Sequence, residues 1–516
     1  MGVLSTRVAG DRRGEREAGL QRFGHKHPDP HTIFCRARQR LGWTQLSDLA
    51  RKLFCYSWQL VRIGWGGYER HLQSDGRRGA GEQVNEMQRE QAIRFWPKTD
   101  VGRVRDGNED SFLVDENIGL FIVADGMGGH AAGEVASNVA VHTCRDTIWK
   151  ERELLDKFES GVDTATRQDV LRVMEQSVQN ACTAVFAEAQ KDPSKRGMGT
   201  TLVVLLVIGT RGFIAHVGDS RIYLVRADSV HQLTEDHSLI NELLKRGRLN
   251  PEQIAKLNMK NAVTRAVGVY ESVEVDTLDF DVLAGDRFLL CSDGLSEYVQ
   301  PNDLLKTFRE RPDEVVSEAL VDLANERGGQ DNITALIVKI PDTRGLDRLA
   351  SEVNLKLETL HLMPLFRHLT YQELVRVMNI TAVRSYRSEE KVLDEGEEGD
   401  EMFIVLSGKV QVHSGDSTLT TLGPGQHFGE MALVDKSPRS ASVSSDGASK
   451  LMVMKRRDFF DIVRKDHDVA VKLLWSFLGV LTERLRTTSR DLGEVREQLS
   501  LRTSEDMLSE ADLEEV

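Results

Sequence analysis

Three strand-length apolar runs, far apart along the chain, each abut an aspartate, and this arrangement constrains the fold more than any other feature. Residues 119–124 (Gly-Leu-Phe-Ile-Val-Ala) lead into Asp125-Gly126, residues 286–292 lead into Asp293-Gly294, and Gln330-Asp331-Asn332 opens onto the run 333–340. Taken singly, an Asp-Gly pair after a strand is a turn, because both residues suit turn backbones. A further acidic cluster, Arg105-Asp-Gly-Asn-Glu-Asp110, and the glycine-rich stretch 125–133 shift that balance. Carboxylates converging from such distant segments repel one another unless cations neutralise them, and an oxygen-rich cluster of this sort suits Mg2+ or Mn2+ rather than zinc.

A chain of 516 residues predicts two to four domains. The longest apolar run, residues 202–208, is far too short to span a bilayer, and no signal-peptide pattern follows Met1, so a cytoplasmic protein is expected. Cys35, Cys55, Cys144, Cys182 and Cys291 show no paired spacing, which argues against a disulfide framework and a cysteine-ligated zinc site. The net charge of -14 disfavours nonspecific binding to nucleic acid or anionic membrane. Residues 1–86 differ from the rest: they carry 15 Lys and Arg against 9 Asp and Glu, with no sustained apolar period, and are expected to be disordered or not native to the protein.

Eight ordered stretches then carry a resemblance. They are Thr99-Asp-Val-Gly-Arg-Val-Arg-Asp-Gly-Asn-Glu-Asp110, Val123-Ala-Asp-Gly-Met-Gly-Gly-His130, Gly199-Thr-Thr201, His216-Val-Gly-Asp-Ser-Arg221, Leu233-Thr-Glu-Asp-His-Ser238, Thr264-Arg-Ala-Val-Gly268, Cys291-Ser-Asp-Gly-Leu295 and Asp331-Asn-Ile-Thr334. Over about 250 residues, expected as a domain at 92–343, the chain resembles the metal-dependent serine/threonine phosphatases of type 2C. The resemblance implies an α-β-β-α sandwich of two antiparallel sheets and a centre of two Mn2+ or Mg2+ ions. It implies that Asp125 bridges the ions, that Asp293 and Asp331 hold the first, and that the Gly126 carbonyl and Glu109 serve the second. Asp110 is implied as a partner of metal-bound water and Arg105 as the phosphate-binding group, whose planar fork can grip two oxygens. Asp219 matches a residue that holds a third ion in bacterial relatives, against the alternative of a plain turn. Where animal members have a histidine after the Asp-Gly pair, this chain has Met127, which leaves the leaving-group acid unassigned.

Leu346, Leu349, Val353, Leu357 and Leu360 recur at intervals of three and four, predicting a helical linker at 344–361. Beyond it, short runs broken by glycines at 402–413, 441–443 and 450–454 predict a small barrel. Between them, Phe428-Gly-Glu-Met-Ala-Leu433 is expected to start a short helix at Gly429 whose free amides can cradle an anion, with Arg439 following. The run from Phe428 to Val443, with Gly399 and Gly408 before it, resembles the phosphate-binding cassette of cyclic nucleotide-binding domains. This resemblance covers about 125 residues (362–490) and implies a jelly-roll β-barrel in which Arg439 pairs with the cyclic phosphate, Glu430 accepts from the ribose hydroxyl and Gly429 offers backbone contacts. Ser440 stands where alanine or threonine tracks cAMP or cGMP, so both ligands stay open, as do a cyclic dinucleotide and an empty site.

Val471, Leu474, Leu478, Leu481, Leu485, Leu492, Val495 and Leu499 form a heptad seam interrupted at Thr488, which predicts either a homodimer through the C-terminal helix or packing on the chain's own barrel. Residues 491–516 are expected to be the helix end and an acidic tail. No helix-turn-helix pattern follows the barrel, against a transcription factor. The expected function is that of a bacterial protein phosphatase acting on phosphoserine and phosphothreonine proteins, themselves products of serine/threonine kinases, under cyclic nucleotide control. The alternative is a nucleotide-responsive signalling adaptor whose phosphatase activity is latent.

Overall fold

The computed structural model describes residues 92–128, 132–161, 164–245, 262–342, 347–415 and 417–511, with side chains described outside 347–350 and 498–511. The expectations for residues 1–86 and for the last residues of the acidic tail lie outside these. Numbered over the described residues, the first part runs β1 (Arg94–Asp100), β2 (Asp110–Asp115), β3 (Leu120–Met127), α1 (Ala132–Lys150), α2 (Arg152–Glu159), α3 (Arg167–Lys191), β4 (Gly199–Thr200), β5 (Leu202–Ile208), β6 (Arg211–Val217), β7 (Arg221–Arg226), β8 (Ser229–Gln232), α4 (Leu239–Lys245), β9 (Asp276–Asp281), β10 (Arg287–Cys291), α5 (Asp293–Ser296), α6 (Pro301–Glu310), α7 (Asp313–Glu326) and β11 (Ile333–Lys339).

These strands make two antiparallel sheets, ordered β1-β11-β10-β7-β8 and β2-β3-β5-β6-β9, with β4 paired to β3. Side chains alternate across a strand, and here they sort into three cores. Phe121, Val123, Val203, Leu205 and Ile214 face Ile222, Leu224, Phe288, Leu290, Leu336 and Val338 between the sheets. Their chain neighbours Leu120, Ile122, Val204, Leu206 and Phe213 turn outward onto α1 and α3. On the other side Tyr223, Val225, Leu289, Ala335 and Ile337 turn onto α6 and α7. The result is the expected α-β-β-α sandwich. Strand β5 is buried on both faces, which is why residues 202–208 read as an unbroken apolar run rather than an alternating one.

The chain continues as α8 (Asp347–Leu362), α9 (Tyr371–Asn379), β12 (Thr381–Tyr386), β13 (Lys391–Leu393), β14 (Glu401–Ser414), β15 (Ser417–Leu422), β16 (His427–Phe428), α10 (Met431–Val434), β17 (Ser442–Lys455), α11 (Arg456–Lys465) and α12 (His467–Ala511). The strands form one six-stranded sheet, ordered β12-β17-β14-β15, with β13 on β17 and β16 on β14. This is the strand-rich region predicted from sequence, with pairing that stays open rather than closing a ring; β14 and β17, fourteen residues each, bend at register shifts around Ser407. One face of this sheet buries Phe403, Val405, Phe428, Val443 and Leu451.

The expected amphipathic helix is α8, and its Val353, Leu357 and Leu360 are buried in the same continuous core that fills the sandwich. That core runs on through Phe366, Leu374, Met402, Met452, Phe459 and Phe477, so the C-terminal sheet and helices pack directly on the first part. Polar contacts fix the angle: Tyr371 stacks on His231 at 3.8 Å between ring centroids, Gln372 Nε2 donates to the Leu233 carbonyl at 2.6 Å, and Arg226 Nη1 donates to the Tyr371 hydroxyl at 3.1 Å. Among the described residues no helix is long and apolar enough to cross a membrane.

Candidate metal centre and nucleotide pocket

Antiparallel pairing brings the acidic residues to one end of the sandwich. Asp110, first in β2, lies directly opposite Asp125 near the end of β3. Because β10 and β11 are antiparallel neighbours, Asp293, just past the end of β10, and Asp331, just before β11, share one edge of the facing sheet. Asp219 sits in the turn between β6 and β7.

The backbone of Asp125 is held from two sides: its carbonyl accepts from Thr200 Oγ1 at 2.8 Å and from the Thr201 amide at 2.9 Å, while its own amide donates to Thr201 Oγ1 at 3.0 Å. Thr201 Oγ1 also meets Ser220 Oγ at 2.7 Å, which pins the Asp219 turn beside Asp125. Asp110 Oδ2 accepts from Ser292 Oγ at 2.8 Å and from Thr334 Oγ1 at 2.6 Å. The Glu109 amide donates to Asn332 Oδ1 at 2.8 Å, and Asn332 Nδ2 donates to the carbonyls of Val101 and Gly107. Gly126 has to be glycine, since a Cβ there would stand 2.1 Å from the Gly133 carbonyl oxygen and 2.5 Å from that of Glu109. Arg105 Nη2 donates to Asp331 Oδ2 at 2.7 Å from a half-exposed position. Met127 ends β3 opposite Gly199, so no titratable side chain stands there.

Electrostatically the site is strained as it stands. Burial, followed by the neighbouring charges of Asp293 and Asp331, pushes the Asp110 carboxyl up to about 7 against the pull of its two hydroxyl donors. Burial and the charge of Asp293 push Asp219 up to about 7, while burial and the charges of Asp110 and Asp293 hold Asp125 well above the usual carboxylate range. Glu109 and Asp293 are raised, chiefly by burial. Asp110 Oδ1 and Asp293 Oδ1 are buried with no hydrogen-bond partner. Buried acceptors without donors, among like charges with depressed acidity, are what hard divalent cations satisfy. The donor set therefore fits Mn2+ or Mg2+.

A second cluster escaped the sequence reading. His216, His237 and Asp276 place ligand-type atoms within 4.8 Å of one another. Their hydrogen-bonding capacity is already in use: His216 Nε2 meets the Glu235 carbonyl at 2.8 Å, the Gly218 amide donates to His237 Nδ1 at 3.1 Å, and Arg265 Nη1 donates to Asp276 Oδ1 at 2.9 Å. Burial, with His237 alongside, pushes His216 down to about 4, so it stays neutral. The cluster braces the Gly218-Asp219 turn.

In the C-terminal part, the short helix α10 begins at Met431, two residues later than expected, with Gly429 before it in the left-handed region at φ +72°. A side chain at Gly429 would be strained and would meet Arg439 Nη1 at 2.7 Å. Arg439 is 9% exposed, and its guanidinium donates to carbonyls alone, to Glu401 at 2.8 Å and Gly429 at 3.3 Å. Its Nε is buried without a partner, and among the described residues no carboxylate lies within ion-pair distance. Burial lowers its pKa. Glu430, 3% exposed, pairs with Arg484 of α12, a partner that the sequence did not suggest. Ser440 is exposed.

The model of the protein phosphatase 2C family matches residues 99–333, and that of the cyclic nucleotide-binding domain matches residues 383–466. Over 248 residues the chain is 42% identical to the serine/threonine phosphatase stp of Listeria welshimeri, a match covering 47% of this chain and 94% of that protein. It is 35% identical over 250 residues to the serine/threonine protein phosphatase PstP of Mycobacterium tuberculosis, covering 48% of this chain and 45% of that one. A solved structure of the catalytic domain of PstP in complex with two manganese ions is 32% identical, with 49% of this chain and 99% of that chain covered and a TM-score of 0.41.

Proposed function

The chain belongs to the protein phosphatase 2C family, and from that premise we propose that it hydrolyses phosphoserine and phosphothreonine in proteins at a divalent-metal centre, under control of a cyclic nucleotide bound by its C-terminal domain. The observation that carries the first half is the meeting of Asp110, Asp125, Asp219, Asp293 and Asp331 around two buried, unpartnered carboxylate oxygens. Mn2+ or Mg2+ would be held by Asp125 shared between two ions, by Asp293 and Asp331 on one, and by Glu109 and the Gly126 carbonyl on the other, with Asp219 serving a third. When bound, the ions supply the Lewis acidity that activates water and offset the charge of the phosphate dianion. Arg105, half exposed and held by a single carboxylate contact, is free to turn its fork onto two phosphate oxygens and orient the ester. Asp110, fixed by Ser292 and Thr334, offers Oδ1 as a proton acceptor. With methionine at position 127, that position supplies no proton to the leaving oxygen.

Hydrolysis of a phosphothreonine peptide is expected to require Mn2+ or Mg2+ and to stop with EDTA. Protons and cations compete for Asp125 and Asp219, both raised, so the metal concentration for half-maximal rate should climb by about tenfold or more from pH 8 to pH 6. Metal-independent turnover, or turnover of free phosphate esters with none of phosphopeptides, would remove this reading.

The second half rests on Arg439, a buried guanidinium whose hydrogen bonds go to carbonyls, above the Gly429 turn. Such a group is prepared for a phosphate. Partnership with a second copy of the chain rests on α12, forty-five residues and about 67 Å long, whose described side chains from Leu481 to Glu497 are all exposed. Leu474, Leu478, Leu481, Leu485, Leu492 and Val495 lie along one seam, and Asp491 and Arg496 flank it where a parallel, in-register partner would oppose them. Sedimentation at micromolar concentration should show a dimer, and Leu485→Asp a monomer. A monomeric parent chain contradicts this assignment.

A further inference from the structure

Helix α12 touches both the nucleotide pocket and the phosphatase, and we propose that it is the lever that ties occupancy of Glu430 to the strip 231–245 beside Asp219. The proposal rests on the nucleotide reading above and adds to it the route of control. At its first turn, Asp468 Oδ2 pairs with Lys245 Nζ, the end of α4, at 3.0 Å, and Lys245 Nζ pairs in turn with Glu235 Oε1 at 2.5 Å. One turn on, Lys472 Nζ grips both oxygens of Glu373 at 2.8 and 2.9 Å. Glu373 belongs to the first turn of α9, whose Tyr371 and Gln372 hold His231 and Leu233. The C-terminal part thus grasps residues 231–245 at three points, Lys245, His231 and Leu233.

Those residues lead directly to the metal centre. Asp236 is held by the fork of Arg221, at 2.9 Å from Nε and 2.6 Å from Nη2, and Arg221 stands two residues after Asp219. Asn241 Nδ2 donates to the Asp236 carbonyl at 2.8 Å, so α4 and the Arg221 pair move as one. Glu235 contributes the carbonyl that meets His216 in the brace behind the Asp219 turn.

Sixteen residues further along the same helix, or about 24 Å, Arg484 pairs with the buried carboxylate of Glu430. Arg484 Nη1 holds one oxygen of Glu430, Oε1, and a ribose hydroxyl that donates to this oxygen competes with Arg484 for it. Arg484 is half exposed and can return to water at little cost. A continuous helix transmits the lost anchor as a change of tilt, because its own hydrogen bonds are stiffer than the side-chain contacts at either end. Two discrete arrangements follow: Arg484 seated with the strip clamped, and Arg484 released with the strip loosened. A ligand can shift them only by preferring one, and competition for Glu430 supplies that preference.

The test is amide hydrogen exchange of the full-length chain with Mn2+, read over 231–245, for the parent and for Arg484→Ala, Asp468→Asn and the double variant, with and without saturating cAMP or cGMP. Arg484→Ala is expected to speed exchange at 239–245 several-fold without any nucleotide. Asp468→Asn should do the same, and the double variant should add little, because both cut one lever. Unchanged exchange over 231–245 in Arg484→Ala, or effects that add in full, overturns the lever. Nucleotide-sensitive hydrolysis with a silent strip sinks the lever and leaves the nucleotide reading standing. A strip that answers Arg484→Ala but neither nucleotide, with hydrolysis equally indifferent, upholds the lever and sinks the nucleotide reading.

Discussion

Replacing Asp125 by alanine is expected to lower kcat on a phosphothreonine peptide by about a thousandfold or more, equivalent to about 4 kcal/mol of transition-state stabilisation. Its carboxylate is the one proposed to serve both ions, so its loss removes more than a single ligand. The fold should survive, because the groups that fix this position, Thr200 Oγ1, the Thr201 amide and Thr201 Oγ1, bond to the Asp125 backbone and not to its side chain. The metal-free protein should be at least as stable as the parent. A carboxyl whose acidity is depressed on folding, here by burial and by Asp110 and Asp293, costs stability at any pH above its unfolded value, and alanine relieves that cost. What should vanish is the rise in Tm on adding Mn2+, since binding to the folded state alone stabilises it. Scanning calorimetry with and without metal reads this directly. A variant that retains a tenth of the activity, or an undiminished metal-induced rise, contradicts the assignment.

The second large effect belongs to Arg439. Arg439→Ala should weaken binding of the cyclic nucleotide by about a hundredfold to a thousandfold, the loss of roughly 3 to 4 kcal/mol expected when one member of a buried charge-assisted pair is truncated. The reason is preorganisation. The guanidinium is already desolvated, already held by the Glu401 and Gly429 carbonyls, and keeps an unpartnered Nε. A phosphate would offset the cost of burying that charge. For the same reason the variant should fold: the Arg439 backbone remains tied through its amide to the Glu397 carbonyl and through its carbonyl to the Gly396 amide. Lysine at this position should recover only part of the affinity, because an ammonium has no planar fork. Titration calorimetry with cAMP and with cGMP decides it, and equal affinity in parent and Arg439→Ala would remove Arg439 from the pocket.

The acidic residues of the proposed centre stand out in the sequence because each follows or precedes a strand-like run, and strand pairing turns that local pattern into convergence in space. Asp110 and Asp125, opposite one another across β2 and β3, show this most plainly. Their supports were not legible. Ser292, Thr334 and Asn332 lay inside stretches that sequence had singled out, yet their roles are hydrogen bonds across some two hundred residues to Asp110 and Glu109. Neutral polar side chains carry no periodicity to announce such contacts. The brace of His216, His237 and Asp276 was hidden likewise, since nothing in their spacing says that β6, β9 and the loop after β8 meet. The register shifts that bend β14 and β17 near Ser407 are also invisible in an alternating pattern. Docking of α9 on β8 through Tyr371 and His231, and the reach of Arg484 to Glu430, likewise depend on where whole elements pack.

The central claim is that the nucleotide pocket governs the metal centre. Its most direct test is the rate of phosphothreonine-peptide hydrolysis at saturating peptide and Mn2+, with and without cAMP and cGMP, in the parent chain and in Arg439→Ala. The account predicts that one nucleotide changes the parent's rate several-fold and leaves Arg439→Ala, at the same concentration, unmoved. Metal-dependent hydrolysis that is indifferent to both nucleotides in both proteins would contradict it, and would leave the C-terminal domain as a device for assembly or recruitment.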